Sequence, residues 1–284
     1  MVILNNVSFG LYFFEMASVL RESLMINGIL FNSETWYGVT SNQIMELEKV
    51  DKLLLRKVFD TPFSTPTESL YLELGAVPLK FILKGRRLMF LHYVLNLEDD
   101  ELLSQFFWVQ WNNPGKNDWT GTVQTDIVDL QINMSIDEIK QCPRSTFKLR
   151  VKEKCRESAF KSLIDAKNCH SKLANLSYEK LEMQPYLRDG ILNCKEARLL
   201  FTLRTRMVDV GCNFKNKASL LCPLCSVASD DQHHLLLCTK IHSETMPDVS
   251  YNDIFGTDTC KMKPVLKVLK KSLSIREELL KPCS

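Results

Sequence analysis

The chain has 284 residues, of which 45% are hydrophobic and 25% charged, and its formal net charge is +2. With this hydrophobic content we expect the chain to fold rather than to be disordered, and the length is enough for one large or two modest cores. The small net charge neither requires nor excludes nucleic acid as a partner, so the local distribution of charge must decide. The apolar N-terminal stretch has no basic flank or clear cleavage site, which argues against a signal peptide or a membrane span.

Apolar residues at helical spacing dominate the first hundred residues. Thr40 and Gln43 predict a capping box that begins a helix ending near Asp60. The predicted inward face of this helix repeats every three or four residues: Ile44, Leu47, Val50, Leu54 and Val58. Its charged residues are interpreted as a solvated face.

Two more helices are predicted directly after the first. Thr65 predicts the N-cap of a short helix, with Pro66 at its first position and Gly75 at its end. The next helix begins near Pro78 and ends near Leu97. Its first half contains a group of cations: Lys80, Lys84, Arg86 and Arg87. This group can bind phosphate, or its aliphatic stems can cover the surface of a helical bundle.

The middle of the chain contains its plainest loop. A helix is predicted over residues 96–108, and residues 112–118 then contain a proline and a glycine, where we place a boundary. Asp118 predicts the N-cap of the following helix. Ser135 and Glu138 predict a capping box for a short helix after that.

Residues 144–161 are the most basic segment, with seven basic and two acidic residues and hence a local balance of +5. Phe147, Val151 and Phe160 recur within it, which predicts an amphipathic helix with one cationic side. Such a side suits phosphate contact, the sequence-independent part of nucleic-acid binding, although a merely soluble helix would show a similar pattern. The candidate contacts in this helix are Lys148, Arg150, Lys152 and Arg156.

Asn193 predicts the N-cap of a helix that ends near Val210, with Arg204 and Arg206 facing outward as further candidate contacts. A last amphipathic helix is predicted over residues 262–280. Strand signals are thin, so we expect a mainly α protein. The expected order is a helical bundle (1–112), a second helical region with the basic helix (119–210), a zinc knuckle (211–245) and a C-terminal connector and helix (246–284).

Residues 222–238 hold the most specific motif, two cysteines separated by two residues followed by histidine and cysteine. Zn²⁺ prefers four tetrahedral nitrogen or sulfur ligands. Residues four apart on a helix share a face, which favours His234 over His233 as the partner of Cys238. The predicted ligands of one structural Zn²⁺ are therefore Cys222, Cys225, His234 and Cys238.

Alternatives to this ligand set remain open at the level of sequence. His233 and, one helical turn further on, His242 are reserve ligands. Ordinary buried thiols beside a surface histidine are a second interpretation. Because the ten cysteines are scattered along a long chain, we expect a reducing compartment rather than a disulfide framework. A zinc hydrolase is disfavoured, since four protein ligands leave no open coordination position.

An ordered set of short motifs gives the chain its family resemblance. The motifs are Phe9-Gly10, Leu20-Arg21, Trp36-Tyr37, Leu53-Leu54-Leu55-Arg56-Lys57, Ser64-Thr65-Pro66, Tyr71-Leu72-Glu73-Leu74-Gly75, Arg86-Arg87-Leu88-Met89-Phe90-Leu91, Leu203-Arg204-Thr205-Arg206-Met207, Asn213-Phe214-Lys215 and Cys222-Pro223-Leu224-Cys225. Together they resemble the C-terminal part of a non-LTR (LINE-like) retrotransposon reverse transcriptase, over nearly the whole chain.

The resemblance implies a helical thumb and connection region that grips template and primer, followed by a zinc knuckle that helps to hold RNA or DNA. The expected partners are RNA, DNA or an RNA–DNA hybrid, in an intracellular setting that is nuclear or cytoplasmic. The chain lacks the family's aromatic-x-Asp-Asp palm motif, so we do not expect it to synthesise DNA alone. Asp99-Asp100 and Asp230-Asp231 are interpreted as solvated carboxylates. The alternative function is a helical scaffold or protein-interaction module with a purely structural zinc.

Overall fold

The computed structural model describes residues 12–113, 115, 118–213, 220–242 and 248–281. These residues form a mainly helical protein, as predicted, and within them there are two isolated β-bridges but no β-strand. The Phe9-Gly10 and Phe214-Lys215 motif residues lie outside the described part of the chain, as do Cys283 and three residues of the predicted loop at 112–118.

The α-helices follow one another along the chain in this order: α1 (Phe13–Leu20), α2 (Asn27–Ile29), α3 (Ser41–Phe59), α4 (Thr67–Leu74), α5 (Leu79–Leu95), α6 (Leu102–Asn112), α7 (Trp119–Asp129), α8 (Ile136–Gln141), α9 (Arg144–Asn168), α10 (Pro185–Arg188), α11 (Cys194–Arg204), α12 (His234–Leu237) and α13 (Thr259–Leu280). A π-helix (Arg21–Ile26) joins α1 to α2. Short 3₁₀ turns lie at Ser33–Thr35, Ser171–Leu173, Gly211–Asn213 and Tyr251–Phe255.

Capping residues fix several helix starts where the sequence predicts them. The Thr40 hydroxyl accepts from the backbone N–H of Gln43, whose side chain in turn accepts from the Thr40 N–H. The same reciprocal pair forms at the predicted starts of α8 and α11. The Asp118 carboxylate accepts from the Gly121 N–H at 2.7 Å at the start of α7. These bonds satisfy donors that have no partner inside the helix.

Two predicted helix starts are wrong. Helix α4 begins at Thr67, and its N-cap position is Pro66, without a side-chain cap, because the Thr65 hydroxyl bonds the Thr61 hydroxyl instead. Helix α6 begins at Leu102 rather than near residue 96. Asn96 ends the preceding helix, α5, since its backbone and side-chain N–H groups both bond carbonyls of that helix.

The buried face of α3 also differs from the prediction. Val50 is 49% exposed, whereas Asp51 is completely buried. The Asp51 carboxylate accepts from the Arg21 guanidinium at 2.6 Å through both of its oxygens and from the Tyr71 hydroxyl at 2.9 Å. This polar cluster places Asp51 inside, so the helix is turned away from the orientation that apolar spacing predicts.

Helix α5 lies at the centre of the molecule and packs most extensively on α9, with further contacts to α3, α6, α7 and α8. Gly85 permits the approach of α9, because a Cβ there would lie 3.0 Å from the Cys155 sulfur. One contiguous core includes buried residues from each of the four predicted segments, such as Leu88, Leu200, Leu235 and Leu266. The division into four segments stays a prediction.

Within the described ranges, no helix is both long and apolar enough to span a membrane. The cysteines of these ranges are all free thiols.

Candidate metal centre and basic surface

The four predicted metal ligands converge in space. The ligand atoms of Cys222, Cys225, His234 and Cys238 all lie within 4.8 Å of one another. The Cys222 and Cys238 sulfurs are 3.9 Å apart, and the Cys225 sulfur is 3.3 Å from His234 Nε2. Tetrahedral Zn–S bonds of about 2.3 Å would set two sulfurs about 3.8 Å apart. The cluster can therefore bind one metal ion.

A tight turn supplies the first two ligands. The Ser226 N–H donates to the Cys222 carbonyl at 2.9 Å, and the Cys222 N–H donates to the Ala228 carbonyl at 2.8 Å. An isolated bridge between Leu221 and Ser229 closes the turn from outside. These bonds present the Cys222 and Cys225 thiols on the same side of the backbone.

The turn also favours the thiolate form of Cys225. The backbone N–H groups of Val227 and Ala228 donate to its sulfur and, with His234, lower the pKa of Cys225 from 9.0 to about 6. Burial instead raises the pKa of Cys238. Because the thiolate is the form that binds a metal, the lowered pKa of Cys225 favours cation binding at this position.

Of the three candidate histidines, His234 is the one that reaches the cluster. His233 is exposed, and its ring lies 5.4 Å from the Tyr251 ring. His242 Nε2 lies 3.0 Å from the Leu235 carbonyl and 3.2 Å from the Ser272 hydroxyl, so it is engaged elsewhere. The geometry agrees with the preference for His234 that the helical spacing gave.

The prediction that Asp230 and Asp231 are both solvated is wrong for Asp230. Asp230 is only 3% exposed and forms an ion pair with Arg276 of α13 at 2.7 Å. It also accepts from the Gly211 N–H at 2.6 Å. Asp231 accepts from the His234 backbone N–H at 2.7 Å and so positions the start of α12. Asp99 and Asp100 are exposed, as predicted.

Apolar and amide contacts attach the cluster to the rest of the protein. Leu235 and Leu236 are buried, whereas Leu237, the third leucine of the run, is exposed. The Gln232 amide donates at 2.9 Å to both the Leu203 carbonyl and the Tyr251 hydroxyl. Sequence reasoning missed Gln232, Asp230 and Arg276 as supports of the site, because their partners lie far away in the chain.

Two candidate nucleic-acid contacts are buried in ion pairs. Arg87 is 5% exposed and binds the Asp126 carboxylate at 2.6 and 2.9 Å. Arg204 is 1% exposed and donates to Glu73 at 3.0 Å and to the Ile254 carbonyl at 2.7 Å. Arg204 was expected to face outward, and that expectation is wrong. Both guanidinium groups are occupied inside the fold, so we leave them out of any binding surface.

Three further candidates are half-buried. Arg86 donates to the Leu30 carbonyl and to the Asn27 side chain at 2.5 Å. Arg156 donates to the Leu181 carbonyl. These bonds use only part of the donors of each guanidinium. Arg206 adopts a left-handed backbone conformation with φ of 53° just after α11.

The remaining candidates are exposed on α9 but do not all share one side. Phe147, Val151 and Cys155 form its buried stripe, which confirms the predicted amphipathic pattern. Residues four apart line up along a helix, which makes a row of cations that we call the basic row: Arg144, Lys148, Lys152 and Arg156. Arg150 lies about 200° around the helix from Lys148, on the opposite side of the stripe.

Comparisons of the chain with protein-family models, curated proteins and solved structures find no match. The resemblance to non-LTR reverse transcriptases therefore stays a prediction from the order of short motifs.

Proposed function

We propose that this chain is a nucleic-acid-binding protein that holds RNA, DNA or an RNA–DNA hybrid along the basic row, as a thumb and connection region without a catalytic palm. The observation that carries the proposal is the row itself, in which Arg144, Lys148 and Lys152 are exposed at four-residue spacing. Successive cations of the row stand about 6 Å apart along the axis. A line of cations at this spacing suits the repeating charges of a phosphate backbone.

Salt dependence tests this proposal. A protein that neutralises several phosphates releases counterions, so its affinity falls with a slope of about −0.9 per phosphate on a log–log plot against salt. For a labelled RNA–DNA hybrid, we expect a slope of about −3 if the row engages three to four phosphates. Affinity that does not change with salt, or no binding at low salt, would contradict the proposal.

We further propose that the metal is Zn²⁺ and that its role is structural. Three thiolates and one imidazole in a closed set of four are typical of structural zinc sites, and thiolate-rich tetrahedral sites select zinc over harder divalent ions. The Asp230 ion pair and the Asp231 cap hold the segment that carries the ligands.

Metal analysis of purified variants tests the zinc site. We expect one zinc per chain in the wild type and in His233→Ala, and a large loss of zinc in Cys222→Ser and His234→Ala. His233→Ala is the matched control because it removes the adjacent imidazole, which is exposed. Full zinc content in Cys222→Ser would exclude this ligand set.

A second candidate function is a helical protein-interaction module, and one feature favours it. Leu102, Phe106 and Val109 are exposed on one face of α6 at helical spacing. Contiguous apolar surface of this kind marks protein contacts in other proteins. In that case the zinc-loaded chain would bind nucleic acid weakly and without a steep dependence on salt.

A further inference from the structure

A groove of about 630 Å³ lies between the π-helix, α5 and α9. Ile26 and Ile82 contribute apolar surface to it, and three residues of the basic row form its α9 side. Its volume falls within the range of about 300–1,000 Å³ that is common for ligand sites. The groove can therefore hold a ligand of the size of one or two nucleotides.

The groove carries excess positive charge. Its carboxylates are Glu22 and Glu34, and Arg21 is neutralised by the buried Asp51. Four cations remain around it: Arg86, Arg144, Lys152 and Arg156. Four cations against two carboxylates leave a balance of +2, which attracts an anion. Arg86 and Arg156 are already oriented by their bonds to backbone carbonyls, so part of each guanidinium is fixed in place.

An aromatic platform stands at the side of the same groove. Tyr93 is 50% exposed and stacks on Phe90, with ring centroids 5.8 Å apart and planes 23° apart. Phe90 is held from another side by Trp119 at 5.5 Å. The Trp119 indole N–H donates to the Glu34 carbonyl at 2.8 Å. The Tyr93 ring therefore has a fixed neighbour beneath it and an exposed portion facing solvent.

We infer that this groove binds unpaired nucleotides of a single-stranded nucleic acid, with phosphates at the groove cations and a base stacked on Tyr93. The inference deepens the proposed function and rests on it. Cations beside an aromatic ring are the combination that single-strand-binding surfaces use. In a duplex the bases are stacked on one another, so no base face is free to stack on the Tyr93 ring.

Equilibrium binding of labelled single strands, RNA and DNA, and of duplexes of the same sequence tests the inference. We expect Tyr93→Leu to weaken single-strand binding about tenfold, as for the loss of one base–aromatic stack, and to leave duplex binding unchanged. Tyr93→Phe keeps the ring and should bind like the wild type. Tyr37→Leu is the matched control, because Tyr37 is exposed and does not line the groove.

The outcomes separate this inference from the proposed function. If Tyr93→Leu binds single strands like the wild type while Lys148→Glu loses affinity, the groove inference is wrong and the proposal for the basic row stands. Equal weakening of single strands and duplexes in Tyr93→Leu would also overturn it. No nucleic-acid binding by the wild type would overturn both proposals. If Tyr93→Leu fails to fold, Arg86→Gln replaces it, because Arg86 lines the groove and is not part of the basic row. We then expect a selective loss of single-strand binding, and an equal loss of duplex binding would contradict the groove.

Discussion

Buried arginine–carboxylate pairs connect distant parts of the described chain. Each joins segments that are separate in the chain: Arg21–Asp51, Arg87–Asp126, Arg204–Glu73 and Arg276–Asp230. The net gain from such a pair is small, because both charges lose their water on folding. Removal of one partner is costly, since it leaves the other charge buried alone. These arginines therefore specify how the helices meet.

The Arg204–Glu73 pair offers a direct test of this role. We expect Arg204→Met to lower the free energy of unfolding by about 3–5 kcal/mol, because Glu73 would stay buried without its counter-ion. The double variant Arg204→Met/Glu73→Leu should recover most of that loss. Urea unfolding measures both. A single-variant effect near that of a surface substitution would contradict the structural role of Arg204.

Asp118 predicts a dependence of stability on pH. The Gly121 N–H lowers the pKa of Asp118 below its ordinary 3.8. A carboxylate whose pKa is lower in the folded state stabilises the fold above its unfolded pKa, and this contribution disappears as pH falls through the folded pKa. Asp118→Asn keeps an uncharged cap. Wild type should therefore be more stable than Asp118→Asn near neutral pH, and this difference should shrink as the pH falls below 3.8 and through the lower folded-state pKa. A difference independent of pH in urea unfolding would contradict this.

At the residue scale, local spacing was sufficient for the metal cluster and insufficient for the arginines. Cys222, Cys225, His234 and Cys238 lie within one short segment, so the turn and helix geometry alone brings their ligand atoms together. Arg204 looked like a surface cation because its partner, Glu73, is 131 residues away in the chain. Whether a charged side chain is buried cannot be predicted from the sequence around it, because burial depends on where its oppositely charged partner lies.

At the scale of helices, the start of α7 and both ends of α3 agree with the sequence, whereas the buried face of α3 does not. A cap is decided by residues three positions apart, so the sequence contains all of the interaction. The buried face of α3 depends on which other helices pack against it. Asp51 is internal only because Arg21 and Tyr71 approach it from α4 and the π-helix.

The end of α4 gives a prediction at this scale. Gly75 has φ of +67°, and a Cβ there would lie 2.3 Å from backbone atoms of Glu182 and Met183. Gly38 has nearly the same φ, +64°, with nothing within 4 Å of an added Cβ. Gly38→Ala should therefore cost about 1 kcal/mol from the left-handed backbone alone. Gly75→Ala should cost clearly more, since the chain at residues 182–183 must also move.

Urea unfolding of Gly38→Ala and Gly75→Ala separates two costs: the backbone strain that both variants share and the steric clash that only Gly75→Ala creates. Equal losses in the free energy of unfolding would show that the segment after α9 does not pack on α4 as described. The comparison is internally controlled, because both substitutions add the same methyl group at nearly the same backbone conformation.

At the scale of the whole molecule, the metal cluster is joined to the C-terminal helix. Asp230 pairs with Arg276, and His242 lies 3.2 Å from the Ser272 hydroxyl. We expect removal of zinc by a chelator to raise amide hydrogen exchange in residues 220–242 and in α13, while α5 and α9 keep their protection. Structural zinc contributes about 10–16 kcal/mol in isolated zinc-finger peptides, so its loss should open this region. Unchanged exchange in residues 220–242 would contradict a structural metal.

The sequence predicts the helical class and the cluster that can bind a metal ion, but it does not predict the groove. Helical class follows from apolar spacing along each segment. The groove forms because α5 and α9 pack closely at Gly85 and the π-helix lies over their contact. A local sequence pattern cannot predict contacts between helices that are distant in the chain. For the same reason, the basic segment predicted cations on α9 without showing that Arg150 and Lys152 lie on different sides of its buried stripe.

We propose that the basic row, rather than basic charge in general, holds nucleic acid. The most direct measurement compares the affinity for an RNA–DNA hybrid of Lys148→Glu/Lys152→Glu with that of Arg150→Glu/Lys161→Glu. All four residues are exposed on α9, and both variants change the net charge equally. We predict that the first variant loses most of its affinity and its salt dependence, while the second stays close to the wild type. Equal losses in the two variants would contradict the claim.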